Sequence, residues 1–181
     1  MNKWLLSGLV FVMSIAVLML AVQAETVWKK EFTDVSDWTI MSDPGTGSKL
    51  SVLNGVGAFH VSAPKSEASF VPSPAGNNLV PFDPSKASEY SISWKVDTLT
   101  NSMGWDLAVD LFDACGKWID TVWNIYPETG NCSEKGEFNK NLGGKDWKPE
   151  ARFIAPKLNI HTGSGSQTAY ISYIRIDHLS R

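Results

Sequence analysis

The chain has 181 residues, of which 43% are hydrophobic and 19% charged, with a formal net charge of −3. That length corresponds to about one domain, and 16 basic residues against 19 acidic ones exclude the basic surface that nucleic acid or an anionic membrane requires. Two cysteines and three histidines are too few and too scattered for a structural zinc centre, which takes four ligands.

Residues 1–24, "MNKWLLSGLVFVMSIAVLMLAVQA", read as one lysine, an unbroken apolar run and a small-residue Val-Gln-Ala ending. This is the pattern of a secretory signal peptide cut after Ala24. An uncleaved anchor is the rival reading, because the apolar run is just long enough to span a bilayer. Cleavage predicts a secreted or periplasmic monomer formed by residues 25–181, with no membrane attachment.

Pro64, Pro72, Pro74, Pro81 and Pro84 crowd the stretch between Ser62 and Tyr90. Proline cannot donate to a sheet ladder, so this stretch is expected to be a long ordered loop, with an interdomain linker as the alternative. Beyond it the apolar period is two. "YSISWKVD" sets Ile92, Trp94 and Val96 against Ser91, Ser93, Lys95 and Asp97. "WDLAVDLFD" sets Trp105, Leu107, Val109 and Leu111 against Asp106, Ala108 and Asp110. "KWIDTVWNIY", "ARFIA" and "AYISYIRIDHLSR" are rich in β-branched and aromatic residues. Gly, Pro, Asn and Ser clusters punctuate these runs, and no helical stripe persists for three turns. Short strands separated by turns predict a single all-β domain, an antiparallel sandwich or barrel.

Cys115 and Cys132 bracket "KWIDTVWNIY". An exported protein meets oxidising conditions, so a disulfide between them is expected, worth about 3 kcal/mol in the chain-entropy view. "NCS" at Asn131 fits the glycosylation pattern, which matters only in a eukaryotic host.

Several stretches carry a resemblance. "EFTDVSDWTI", "PFDPSKASEYSISWKVD" and "DWKPEARFIAPKLNIHTGSGSQTAYISYIRIDHLSR" are similar to the opening, a middle strand and the closing strands of jelly-roll carbohydrate-binding modules with the galactose-binding-like fold. The resemblance implies a jelly-roll β-sandwich over residues 25–181. It also implies a structural calcium between the first and last strands. Asp177 matches the family's ligand on the closing strand. Where the family often has an acid after the phenylalanine, this chain has Thr33, with Asp34 or Glu31 as substitutes. Calcium takes six to eight oxygen ligands. The alternative for Asp177 is a strand-end carboxylate paired with Arg175 or Lys29.

No catalytic constellation can be assembled from spacing, so no catalytic residue is assigned. A glycosidase needs two carboxyls roughly 5–9 Å apart, whereas Asp106 and Asp110 on one strand face are about 13 Å apart at strand rise. The histidines form no metal motif, and no nucleophile elbow or phosphate loop occurs. The composition favours binding. Eight tryptophans exceed the ordinary need of one small core, and aromatic faces stack on the C–H faces of sugars. In "CGKWIDTVWNIYPETGNC" the alternation puts Trp118, Asp120, Val122, Asn124 and Tyr126 on one face. Ile119, Thr121, Trp123 and Ile125 fall on the other, expected to be core. Trp118 and Tyr126 are the expected stacking rings, and Asp110, Asp120 and Asn124 the hydroxyl partners, of a polysaccharide or oligosaccharide. A protein-interaction or matrix domain, and a small glycoside hydrolase or polysaccharide lyase, remain the alternatives.

Overall fold

A computed structural model describes residues 23–42, 45–73, 78–100 and 104–180. The strands are β1 (Gln23–Glu31), β2 (Trp38–Ser42), β3 (Lys49–Leu53), β4 (Val56–Val61), β5 (Glu67–Pro72) and β6 (Val80–Pro81). After a short 3-10 turn (Pro84–Glu89) come β7 (Tyr90–Leu99), β8 (Trp105–Phe112), β9 (Trp118–Tyr126), β10 (Gly136–Asn141), β11 (Phe153–His161) and β12 (Gln167–Ser180). They form two antiparallel sheets. The first is ordered β10-β7-β12-β4-β3, with β1 also on β12; the second is β2-β5-β11-β8-β9, with β6 on β11. This is the expected jelly-roll sandwich.

The signal-peptide reading lies almost wholly outside the described residues. Ala24, the position of the expected cut, pairs with Leu179 in β1. Among the described residues no helix is long and apolar enough to cross a membrane.

The period of two places the core. Ile92, Trp94 and Val96 from β7 and Trp105, Leu107, Val109 and Leu111 from β8 are at most 1% exposed. At one end of the interior Trp94 meets Trp105 edge-on at 5.7 Å, and Tyr126 and Phe138 complete the cluster. At the other end Phe32, Trp38, Phe59 and Phe70 pack as tilted and edge-on pairs 5.1–5.7 Å apart. Such geometries suit ring quadrupoles and add about 0.5–1.5 kcal/mol per pair to area burial.

Two expectations are corrected here. The proline-rich stretch is not one long loop: "EASFVP" within it is β5, paired with β2 on one side and β11 on the other. Its alternation of Ala68 and Phe70 inward against Glu67 and Ser69 outward outweighs the prolines, and Pro72 sits at the strand's last residue.

The cysteines do not form a disulfide. Cys132 exchanges backbone hydrogen bonds of 2.7 and 2.8 Å with Trp105, at the start of β8. The approach is close enough that a Cβ on Gly104 would sit 2.2 Å from the Cys132 carbonyl oxygen. Cys115 lies exposed in the turn at the far end of β8, its N–H bonded to the Asp113 carboxylate at 2.8 Å. The length of β8 holds the two on the order of 25 Å apart at strand rise, far beyond the reach of a disulfide. Burial also pushes the Cys132 thiol above its ordinary pKa. In the native protein Cys115 should therefore react rapidly with a thiol reagent such as Ellman's, and Cys132 only after unfolding. A non-reduced mass showing no alkylatable thiol would contradict this.

Candidate functional site

The outer face of the second sheet gathers the polar residues that have most to explain. On β8, Asp106, Ala108, Asp110 and Phe112 alternate away from the core. On β11, Phe153, Ala155, Lys157, Asn159 and His161 do the same. The register sets Asn159 opposite Asp106 and Lys157 opposite Ala108. A sheet's outer face is ordinarily solvated, yet Asp106, Asp110, Lys157 and Asn159 are each under a tenth exposed. Burial of such groups is costly unless each is paired, and here each is.

Ser69 on β5 donates to Asn159 Oδ1 at 2.5 Å, and Asn159 Nδ2 donates to Asp106 Oδ1 at 2.7 Å. His161 Nε2 bonds the other Asp106 oxygen, and His161 Nδ1 faces Glu67 at 3.3 Å. Nearer β9, Thr121 Oγ1 donates to Asp110 Oδ1 at 2.6 Å, and Lys157 Nζ lies 3.4 Å from that same oxygen. The Lys157 ammonium also sits 4.8 Å from the centre of the Trp123 ring, a cation–π contact that steadies the indole. Trp123 is itself 51% exposed. The face thus combines a held aromatic surface with donors and acceptors fixed by one another. Ala108 and Ala155, with their short side chains, lie between them and are fully covered, at 0% and 1% exposure.

Of the expected site residues, the structure brings Asp110 into this network. Trp118 is 54% exposed and pairs in register with Phe112, a member of the outward set. Asp120 accepts from the Thr121 backbone N–H at 2.8 Å and faces Lys148 at 3.4 Å. Those two contacts hold its carboxyl below the usual range. Asn124 is exposed with a positive φ of 55°, and its backbone carbonyl accepts from Lys145 at 2.8 Å. Tyr126 is placed elsewhere: its ring stacks on Trp105 at 5.7 Å and tilts against Phe138 at 5.2 Å, within the interior cluster.

The expectation that Thr121 and Trp123 belong to the core is corrected. Register shifts flank Val109–Val122 and Leu111–Asp120, and together with left-handed Asn124 they break the period of two. Val122 and Ile125 pack inward, while Thr121 joins Asp110 and Trp123 faces outward over Lys157. Simple alternation also missed Asp106, Asn159, His161, Ser69 and Glu67. Their signal was present in "KLNIH", where polar residues occupy every second position of a strand, as they do in "WDLAVD".

The acids considered for calcium are not brought together. Asp177 is 6% exposed on β12; Thr26 Oγ1 donates to its Oδ1 at 2.7 Å and Arg175 Nε to its Oδ2 at 2.8 Å. The buried carboxylate is therefore satisfied by a cross-strand hydroxyl and a guanidinium. Glu31 pairs with Lys29 and lies opposite Tyr173, several residues along β12 from Asp177. Asp34 accepts from the backbone N–H and hydroxyl of Ser36, which hold its carboxyl below the usual range. Among the described residues no group of three or more His, Cys, Asp or Glu converges, and these three acids lie apart from one another. Asp177→Ala should cost about 1–3 kcal/mol by stranding its partners, with melting curves that coincide in calcium and in EDTA. A calcium-induced rise in Tm that this substitution abolishes would instead place a cation at the carboxylate.

A cleft of about 460 Å³ lined by Lys65, Ser66, Glu67, His161 and Thr162 opens at the rim of the sheet, where β5 begins and β11 ends. A larger depression of about 640 Å³ lies between the 3-10 turn and the segment before β11, walled by Phe82, Trp147 and Arg152.

The sequence matches no protein-family model and no curated protein. Solved structures do share its architecture. The CBM22-1 xylan-binding domain from Paenibacillus barcinonensis Xyn10C aligns over 89% of this chain and 99% of its own, at 10% identity and a TM-score of 0.50. The family 11 carbohydrate-binding module of Clostridium thermocellum Lic26A-Cel5E aligns over 89% and 98%, at 11% identity and a TM-score of 0.47. The enzymatically active domain of bacteriophage CBA120 tailspike protein 4 aligns over 79% of this chain, at 15% identity and a TM-score of 0.45; this chain spans only 20% of that one. At 10% identity, what is shared with the xylan-binding domain is the fold.

Proposed function

We propose that this chain is an exported, non-catalytic domain that binds polysaccharide on the outer face of its second sheet. The observation that carries the reading is the half-exposed Trp123 beside a buried network of fixed polar groups. Aromatic area with a few convergent polar groups is the usual make-up of a ligand site. The apolar leader supports export, and the fold is one that a xylan-binding domain also uses. Trp123 serves as the stacking ring, with Trp118 further along β9 as a second. Asp106, Asp110, Asn159 and Lys157 orient the hydroxyls. Asp106 and Asp110 each already hold protein donors, an arrangement suited to positioning rather than to proton transfer.

Affinity electrophoresis of the domain over a panel of polysaccharides tests the proposal. Trp123→Ala should weaken retention by about 5- to 150-fold, the range that loss of an aromatic hot spot of 1–3 kcal/mol produces, with Tm unchanged. If no polysaccharide retards the wild type, the reading fails and a protein-interaction domain replaces it.

A further inference from the structure

We infer that the glycan accepted by this face is a neutral one, engaged across the strands through hydroxyl groups rather than through an anionic substituent. The inference rests on the polysaccharide-binding reading above and follows from the charges the face carries. Among the described residues, three carboxylates, Asp106, Asp110 and Glu67, stand there against one ammonium, Lys157, and one imidazole, His161. Both cationic candidates already have carboxylate partners: Lys157 has Asp110 at 3.4 Å, and His161 has Asp106 on one side and Glu67 at 3.3 Å on the other. At the β9 edge Lys148 is likewise matched with Asp120 at 3.4 Å.

A uronate or sulfate entering the face would have to take a cation from its carboxylate. That would leave a buried acid unpaired, a cost that an ion pair at the rim cannot offset. It would also enter a field that is acidic on balance. A hydroxyl meets no such barrier, because an ionised carboxylate offers about four acceptor positions and an ammonium three donors. Thr121 and Lys157 both reach Asp110 at Oδ1, which makes Oδ2 the acceptor we assign to a ligand hydroxyl. The exposed Lys65 lies in the cleft beyond His161, beside Glu67, and stands apart from the buried network.

The direction of the chain also follows. Trp123 lies over Lys157, whereas Glu67 on β5 pairs with His161, four residues further along β11; three interstrand spacings and that offset together span roughly 20 Å on the diagonal, the length of a short oligosaccharide. One ring stacks on Trp123, and its neighbours run diagonally over the polar network toward the exposed Glu67.

The test is titration calorimetry of the whole domain against neutral chains (xylan, galactan, mannan and mixed-linkage glucan oligosaccharides) and anionic ones (polygalacturonate, alginate and heparin fragments). At least one neutral chain should bind, with a Kd that changes by less than about twofold between low and high salt, as uncharged contacts require. Trp123→Ala should weaken that binding by about 5- to 150-fold, and Lys65→Ser should leave it intact. Binding confined to anionic chains, weakening steeply with salt and lost in Lys65→Ser, would overturn the inference while leaving a carbohydrate-binding domain standing. Silence across both sets would remove the polysaccharide reading itself.

Discussion

Replacing Lys157 by methionine is expected to destabilise the domain by about 3–5 kcal/mol, the loss that follows when one partner of a buried ion pair is removed. For a domain of this size such a loss lowers Tm by roughly 6–20 °C. The reason lies in Asp110, whose side chain is even less accessible than that of Lys157: their side chains are 5% and 8% exposed. Without the ammonium, the Thr121 hydroxyl is the donor left to the carboxylate among the described residues. Combining Lys157→Met with Asp110→Asn should recover most of the loss, since an amide still accepts from Thr121 and carries no charge to desolvate. Denaturant melts of the wild type, both single variants and the double variant form the cycle that measures this coupling. A cost below about 1 kcal/mol for Lys157→Met, the value of an exposed pair, would show that the pair is open to water. The consequence for function is direct, because the same lysine steadies Trp123.

Trp94→Ala is expected to cost a comparable 3–5 kcal/mol, for a different reason: it empties the most aromatic part of the core. The indole is fully buried, stacks on Phe138 at 5.5 Å and meets Trp105 and Tyr126 edge-on at 5.7 and 5.4 Å. Its Nε1 has no hydrogen-bond partner among the described residues, so the ring acts by packing alone. Trp94→Phe should therefore be far milder than the alanine. Trp118→Ala, at a ring more than half exposed, should stay within about 0.5 kcal/mol of wild type, as surface substitutions do. Thermal melts of the three proteins decide the matter. An alanine variant at position 94 as stable as that at 118 would mean that the interior cluster contributes little.

The contrast between these tryptophans shows which part of the architecture was legible in the chain. Trp94 and Trp105 sit at alternate positions with aliphatic neighbours, and a residue's side of a regular strand follows from the backbone pleat alone. The all-β class and most of the core were open to local reading for that reason, whereas the choice of sandwich over barrel came from the resemblance. So were Trp118 as an exposed ring and the turns at "LGGK" and "HTGSGS".

What the chain did not disclose depends on contacts between distant segments. Trp123 and Tyr126 exchanged roles because bulges in β9, together with left-handed Asn124, shift the face on which each falls, and a single slip inverts a period-two pattern. The cysteines sit 17 positions apart in sequence but at opposite ends of β8, a separation that only strand pairing creates. The polar face shows the same dependence. Glu67 and Ser69, Asp106 and Asp110, and Lys157, Asn159 and His161 come from three strands that are remote in sequence. Each alone reads as an ordinary solvated position. Pairing β5, β11 and β8 is what makes acceptor meet donor, and it decides that these groups are buried and matched rather than left to water. Local side-chain chemistry determined what each strand is, whereas the register between strands, set by the fit of the whole core, decided where the proposed site lies.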